Sequence, residues 1–238
     1  MVQASPALYN MYVDARDLHS WDVTTAEARD IQTRLASLVV AQGAPEKVRL
    51  VAAADISVER FGRRARGAVV VLSYPEMELV EQAAVEQEVS FPYVPGLLSF
   101  REAPILLRAF AQIRARPDLL LVDGQGLAHP RRFGIACHLG LLLDLPTVGA
   151  AKSRLCGEHA ELPPDAGSVV PLGDGDERIG LVVRTRSNVK PVYVSVGHRI
   201  GLEAAAEWVL RCCRDYRIPV PLRLAHLAAA MNRRHGET

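Results

Sequence analysis

Leu119 to Val122 are four consecutive apolar residues that stop at an acid, Asp123, which opens a glycine-rich turn, Gly124-Gln125-Gly126. Four residues are too few for a helix, and a run without alternation suits a strand covered on both faces. The two glycines let the backbone turn tightly and approach a ligand closely. His129, Pro130, Arg131 and Arg132 then precede a helical pattern from Phe133 to Leu143. Free N–H groups and cations at such a helix start can converge on a phosphate. An acid beside a phosphate-binding turn suggests a metal between them. The helical period stops at Asp144, Pro146 breaks the chain, and Thr147 to Ala151 reads as another strand with Lys152 at its end. Strand, acid, helix, strand and lysine point to an α/β fold. Taken alone, an acid at a strand end is often only a turn former or helix cap, and one Gly-x-Gly is weak evidence of phosphate binding.

A second acid has the same setting. Val48 to Ile56 is an apolar run with Asp55 near its end. A charge this close to a buried strand costs several kcal/mol, on an order-of-magnitude argument, unless it is paired or metal-bound. An arginine partner would satisfy it without any chemistry. Arg66 to Tyr74 and Leu79 to Val89 follow as strands, giving a three-stranded antiparallel meander with Asp55 on its first member. Upstream, Thr24-Thr25-Ala26-Glu27 offers a capping box for an amphipathic helix whose apolar face is Ala28, Ile31, Leu35, Leu38 and Val39. That helix is assigned to structure.

A third acid, Glu102, lies near a helix start. Ser99 to Glu102 matches a capping box, but Pro104 would then remove an intrahelical bond, so the helix is expected to begin within a residue or two of Glu102. Asp55, Glu102 and Asp123 thus come from a strand, a helix start and another strand. Convergent carboxylates suit a hard divalent cation such as Mg²⁺, which prefers oxygen ligands and activates water against a phosphodiester. His129 can orient water or a phosphate, and Lys152 can offset transition-state charge. Just before Glu102, Pro92-Tyr93-Val94-Pro95 is a stiffened loop around one tyrosine. A rigid aromatic tip can stack on bases or wedge between them; packed over the core, the same ring would be structural.

At 238 residues, with no low-complexity linker, residues 1–238 are expected to form one domain. A net charge of +1 excludes a uniformly basic coat, so nucleic-acid contact must come from local clusters. Arg60, Arg63, Arg64 and Arg66 form one such cluster, Arg131 and Arg132 another. Cys137, Cys156, Cys212 and Cys213 show neither zinc-finger spacing nor a disulfide framework. Buried free thiols in a reducing cytosol fit best. No apolar stretch is long enough for a membrane span or signal sequence, which places the protein in the cytoplasm, away from membranes. A monomer is expected, for lack of any oligomerisation signal.

The motifs together resemble endonuclease V, the repair nuclease family specific for deaminated adenine. The resemblance rests on Ala54-Asp55-Ile56-Ser57, the stretch Pro92 to Glu102, Asp123-Gly124-Gln125-Gly126 with His129-Pro130-Arg131, and Val148 to Ser153. It implies a ribonuclease H-like α/β fold with a mixed sheet and flanking helices. It also implies Asp55, Glu102 and Asp123 as metal ligands, with Mg²⁺ the expected cofactor and Mn²⁺ able to substitute. His129 and Lys152 would assist catalysis. Pro92, Tyr93, Val94 and Pro95 would form a strand-separating wedge. Inosine would lie flipped in a main-chain pocket near Gly96 to Leu98 and Gly124 to Gly126, and the strand would be cut at the second phosphodiester 3′ to it, leaving a 3′-hydroxyl and a 5′-phosphate. Arg101, Arg131 and His226, the last within Arg223-Leu224-Ala225-His226, form a second tier. The expected partner is inosine-containing DNA, with inosine-containing or single-stranded RNA as the rival substrate. Gln125 departs from the pattern, standing where many members have histidine. From a different class, a lesion-binding module without cleavage would gain little from three acids beside a polyanion.

Overall fold

The computed structural model describes residues 15–59 and 63–230. Eight strands form one mixed sheet in the order β3-β2-β1-β4-β5-β8-β7-β6. The strands are β1 (Leu50–Val58), β2 (Arg64–Ser73), β3 (Leu79–Glu88), β4 (Leu119–Val122), β5 (Thr147–Ala151), β6 (Val169–Asp174), β7 (Glu177–Val183) and β8 (Val192–His198). The antiparallel meander is β1 to β3. At the centre β1, β4 and β5 run parallel, and β8 returns antiparallel to β5.

Helices cover both faces of this sheet. On one side Val51, Ala53, Leu119, Leu121 and Val148 pack with α4 (Leu202–Arg211) and α5 (Val220–Ala229). On the other Ala52, Ala54, Leu120 and Val122 pack with α2 (Leu98–Phe110) and α3 (Ile135–Leu143). A strand buried on both faces cannot alternate, which is why β4 is apolar throughout. The expected α/β architecture, a mixed sheet flanked by helices, is therefore what the chain forms. No helix among the described residues is long and apolar enough to cross a membrane.

The first helix, α1 (Thr25–Ala36), opens on the expected capping box: Glu27 N–H donates to Thr24 Oγ1 at 3.3 Å and Thr24 N–H to Glu27 Oε2 at 2.8 Å. The start of α2 differs from expectation. It begins at Leu98, with Leu97 as an N-cap that makes no side-chain bond, so Pro104 lies inside the helix and Glu102 stands in its second turn. Burial of Ala103, Ile105, Leu106, Leu107, Ala109 and Phe110 offsets the missing N–H. The cluster that includes Arg60 falls partly outside the described residues. The four cysteines are free thiols, with Cys137 and Cys212 buried.

His138 of α3 is fully buried and carries a polar chain through the core. His19 Nδ1 faces the Ser20 carbonyl at 2.7 Å, His19 Nε2 faces His138 Nε2 at 2.7 Å, and His138 Nδ1 faces Ser99 Oγ at 3.2 Å. The Ser20 carbonyl only accepts, so His19 donates through Nδ1 and its Nε2 accepts from His138. His19 must then be neutral, since a proton on its Nε2 would set two N–H groups against each other, while complete burial keeps His138 neutral. Burial accordingly lowers both pKa values, that of His138 well below the ordinary value. The unfolded chain binds more protons below about pH 6.5, so this pair loses stability as pH falls through that value. In His138→Gln, the slope of unfolding free energy between pH 6.5 and 5 should be shallower by up to about 1.4 kcal/mol per pH unit for each proton removed. Chemical denaturation at several pH values measures it; equal slopes in both proteins would contradict the neutral pair.

Candidate active site

Parallel pairing of β1 with β4 sets Ala54 beside Val122, and Asp123 N–H reaches the Ala54 carbonyl at 3.3 Å. Asp55 and Asp123 are the next residues in this register. Both continue the odd-numbered side of their strands, the side that meets α4 and α5. Asp55 accordingly faces α5, where His226 Nδ1 lies 2.7 Å from its Oδ2, while Ile56 N–H donates to its Oδ1 at 2.8 Å. Lys152, at the end of β5, pairs with Asp123.

Glu102 of α2 joins the two aspartates electrostatically. Desolvation and then the Asp55 and Asp123 charges push its carboxyl up to about 7, with Arg101 opposing. Asp55 is raised for the same reasons, desolvation first and Asp123 second. Buried carboxylates that repel one another call for a cation. Among the described residues no three His, Cys, Asp or Glu side chains already stand in a ligating arrangement. Asp123 is engaged by Lys152, and Asp55 by His226. The donor set nonetheless fits a hard divalent ion: three carboxylates supply oxygen only, and such an ion would offset the desolvation and the mutual repulsion that raise Asp55 and Glu102.

The loop ahead of α2 presents Tyr93 at its tip, 70% exposed, between the exposed prolines Pro92 and Pro95, whereas Val94 packs with Phe91, Leu97 and Phe100. The loop is tied at both feet. Arg101 Nη1 donates to the Phe91 carbonyl at 2.9 Å. At the other foot the Gly96 carbonyl accepts from Arg131 Nη2 at 2.7 Å, His129 Nε2 at 3.0 Å and Gln32 Nε2 at 3.0 Å. Gly96 has φ +77°, and a side chain there would strike Arg131.

His129 is 3% exposed, and burial followed by Arg131 depresses its pKa to about 4. Its Nδ1 accepts from Arg131 N–H at 3.2 Å, so both ring nitrogens serve this loop, and no hydrogen bond joins it to the carboxylates. The Arg131-Arg132 segment is likewise engaged inside the protein. Arg132 pairs with Asp174 and Glu177 of the β6–β7 hairpin, at 2.8 and 2.7 Å. The phosphate-facing cations read from sequence at this helix start are thus tied up in the fold.

The Asp-Gly-Gln-Gly turn is packed tightly. A Cβ on Gly126 would lie 1.9 Å from the Val196 carbonyl, so glycine is required there by β8 as well as by any ligand. Gln125 is buried, with Nε2 donating to the Ser153 carbonyl at 2.9 Å, which links the Asp123 turn to the Lys152 loop. Gln32 is the residue sequence reasoning missed. It sits on the helix assigned to structure alone, and nothing in a local pattern connects it with positions 96, 131 and 133.

The chain is similar to known proteins over most of its length. The Endonuclease V family matches residues 33–227. An endonuclease V of Dehalococcoides mccartyi is 53% identical over 220 residues, covering 92% of this chain and 99% of the relative. The crystal structure of endonuclease V from Streptomyces avermitilis superimposes with a TM-score of 0.83 at 40% identity, covering 88% of this chain and 93% of the other. That of Ciona intestinalis endonuclease V, in complex with a 24mer DNA containing an inosine followed by a ribo-adenosine, gives 0.75 at 29% identity over 86% and 95%. With its family profile matched over most of its length, this chain belongs to the endonuclease V family.

Proposed function

We propose that this protein is a metal-dependent endonuclease that recognises deoxyinosine in DNA and hydrolyses the second phosphodiester on its 3′ side, leaving a 3′-hydroxyl and a 5′-phosphate. The observation that carries the reading is the gathering of Asp55 within β1, Asp123 just past β4 and Glu102 in α2, beside Lys152. Asp55, Glu102 and Asp123 would hold Mg²⁺, or Mn²⁺ in its place, and the ion would supply an activated water and neutralise phosphate charge. Lys152 is placed to move from Asp123 to the developing charge on the phosphate. His226 holds the Asp55 carboxylate in orientation. His129 and Arg131 hold the recognition loop, and Tyr93 is the wedge tip.

Base selection follows from the start of α2. Its N-cap makes no side-chain bond, and the N–H groups of Leu98 and Ser99 have no hydrogen-bond partner among the described residues. Deamination turns the adenine amine donor into a carbonyl acceptor. A fixed N–H aimed there rewards hypoxanthine and faces adenine donor to donor. Gly124 and Gly126 would form the other wall. A strand containing ribonucleotides is the second reading, favoured by the inosine followed by ribo-adenosine in the Ciona complex. The protein is proposed to act as a monomer in the cytoplasm.

Three outcomes are expected. An end-labelled duplex with one deoxyinosine should be nicked with Mg²⁺ and not with EDTA, and Asp123→Asn should slow the nick by roughly 10²-fold or more; unchanged nicking would remove Asp123 from the site. A parallel strand with a ribonucleotide after inosine decides between the two substrates. Tyr93→Ala should weaken binding of the damaged duplex by about 5- to 100-fold, the range for loss of one stacked base, while single-turnover cleavage at saturating enzyme stays near wild type; unaltered affinity would end the wedge role. Because Glu102 must lose a proton to bind a cation and its carboxyl lies at about 7, Mg²⁺ affinity measured calorimetrically should rise between pH 6 and 8. Glu102→Gln should flatten that rise, and an equally steep rise in the variant would exclude Glu102 as a ligand.

A further inference from the structure

Gln32 is 1% exposed on the apolar face of α1. A buried amide is costly unless its groups are satisfied, and here every one is. Nε2 donates to the Gly96 carbonyl and to the Phe133 carbonyl, both at 3.0 Å, and Oε1 accepts from Arg131 Nε at 2.6 Å. Since both acceptors are carbonyls and the third partner is a donor, the network admits only one orientation of the amide.

The Gly96 carbonyl receives three donors, though one bond would satisfy it. The surplus fixes a peptide plane. Immediately beyond it, Leu97 N–H closes on the Val94 carbonyl at 2.9 Å, and α2 begins at Leu98 with the Leu98 and Ser99 N–H groups unpartnered among the described residues. The second bond of Gln32 reaches the other side of the same region. Phe133 precedes Gly134, whose N–H donates to the Gly126 carbonyl at 3.0 Å. One side chain therefore braces the Gly96 loop against the segment that packs on the Asp-Gly-Gln-Gly turn.

We propose that Gln32 is a positioning residue for base selection: it locks the two backbone segments of the lesion pocket to each other and so aims the N–H groups at the start of α2. The inference rests on the function proposed above. It assigns α1, which supplies none of the three carboxylates, a part in specificity.

The test compares equilibrium binding, in EDTA, of duplexes carrying inosine, an abasic site or no lesion. The abasic duplex can be bent and wedged but offers no base to read. Gln32→Met keeps the length of the side chain and removes its polar atoms. It should lower affinity for the inosine duplex by about tenfold or more, the scale expected when buried groups lose partners, and weaken the abasic duplex far less, because Arg101, His129 and Arg131 still hold the Tyr93 loop. Gln32→Glu should lose more, because a carboxylate has no donor for the Gly96 carbonyl and repels it. The ratio of inosine to abasic affinity within one preparation is independent of the fraction of protein folded, so a destabilised variant still gives an answer. Wild-type preference in Gln32→Met, or equal loss for both lesions, would overturn the proposal. If the wild type itself shows no preference for inosine over undamaged duplex, the base-reading function fails and not merely the role of Gln32.

Discussion

The parallel pairing of β1 with β4 is the constraint on which the site depends. Its register carries Ala54 and Val122 side by side, so the next residues, Asp55 and Asp123, emerge together from a sheet covered on both faces. Two like charges so placed are unfavourable in the bare protein, and the structure manages the conflict with Lys152, His226 and raised carboxyl pKa values. A bound cation, as proposed above, would relieve this repulsion. The apolar core contributes by holding the repelling groups in place.

A second constraint works at the loop that carries Tyr93. The proposed stacking and base reading would both require a backbone that does not relax when a base arrives, and short polar chains from distant segments hold it. Arg101 holds the Phe91 carbonyl, while Gln32, His129 and Arg131 hold that of Gly96. The exposed Tyr93 thus rides on a loop anchored at both ends. His129 and Arg131, which a local reading sets near phosphate, spend their hydrogen bonds on this anchorage.

Much of this was legible in the sequence because central strands and the acids in or just past them are local signals. Leu119 to Val122 and Thr147 to Ala151 have the bounds the apolar runs suggest, and the meander follows from its turns. What escaped depends on contacts between distant positions. The edge strand β6 contains Pro171 and is largely uncovered, so it has neither the composition nor the alternation of a core strand. Without it, the acids that pair with Arg132 had no assigned place. The start of α2 has no capping side chain, and Pro104 argued for a later beginning that burial of the helix overrides. Gln32 interrupts an apolar stripe, and its three partners lie 64 to 101 residues away.

Asp55, Glu102 and Asp123 are proposed to share a cation, with Lys152 and His226 engaging the two aspartates in its absence. Anomalous diffraction from crystals soaked in Mn²⁺ tests it most directly. A peak is expected with Asp55, Glu102 and Asp123 oxygens at roughly 2.0–2.3 Å, the range for a small hard dication, and with Lys152 drawn away from Asp123. A crystal saturated with Mn²⁺ that shows no peak there, with Lys152 still paired to Asp123, would contradict it.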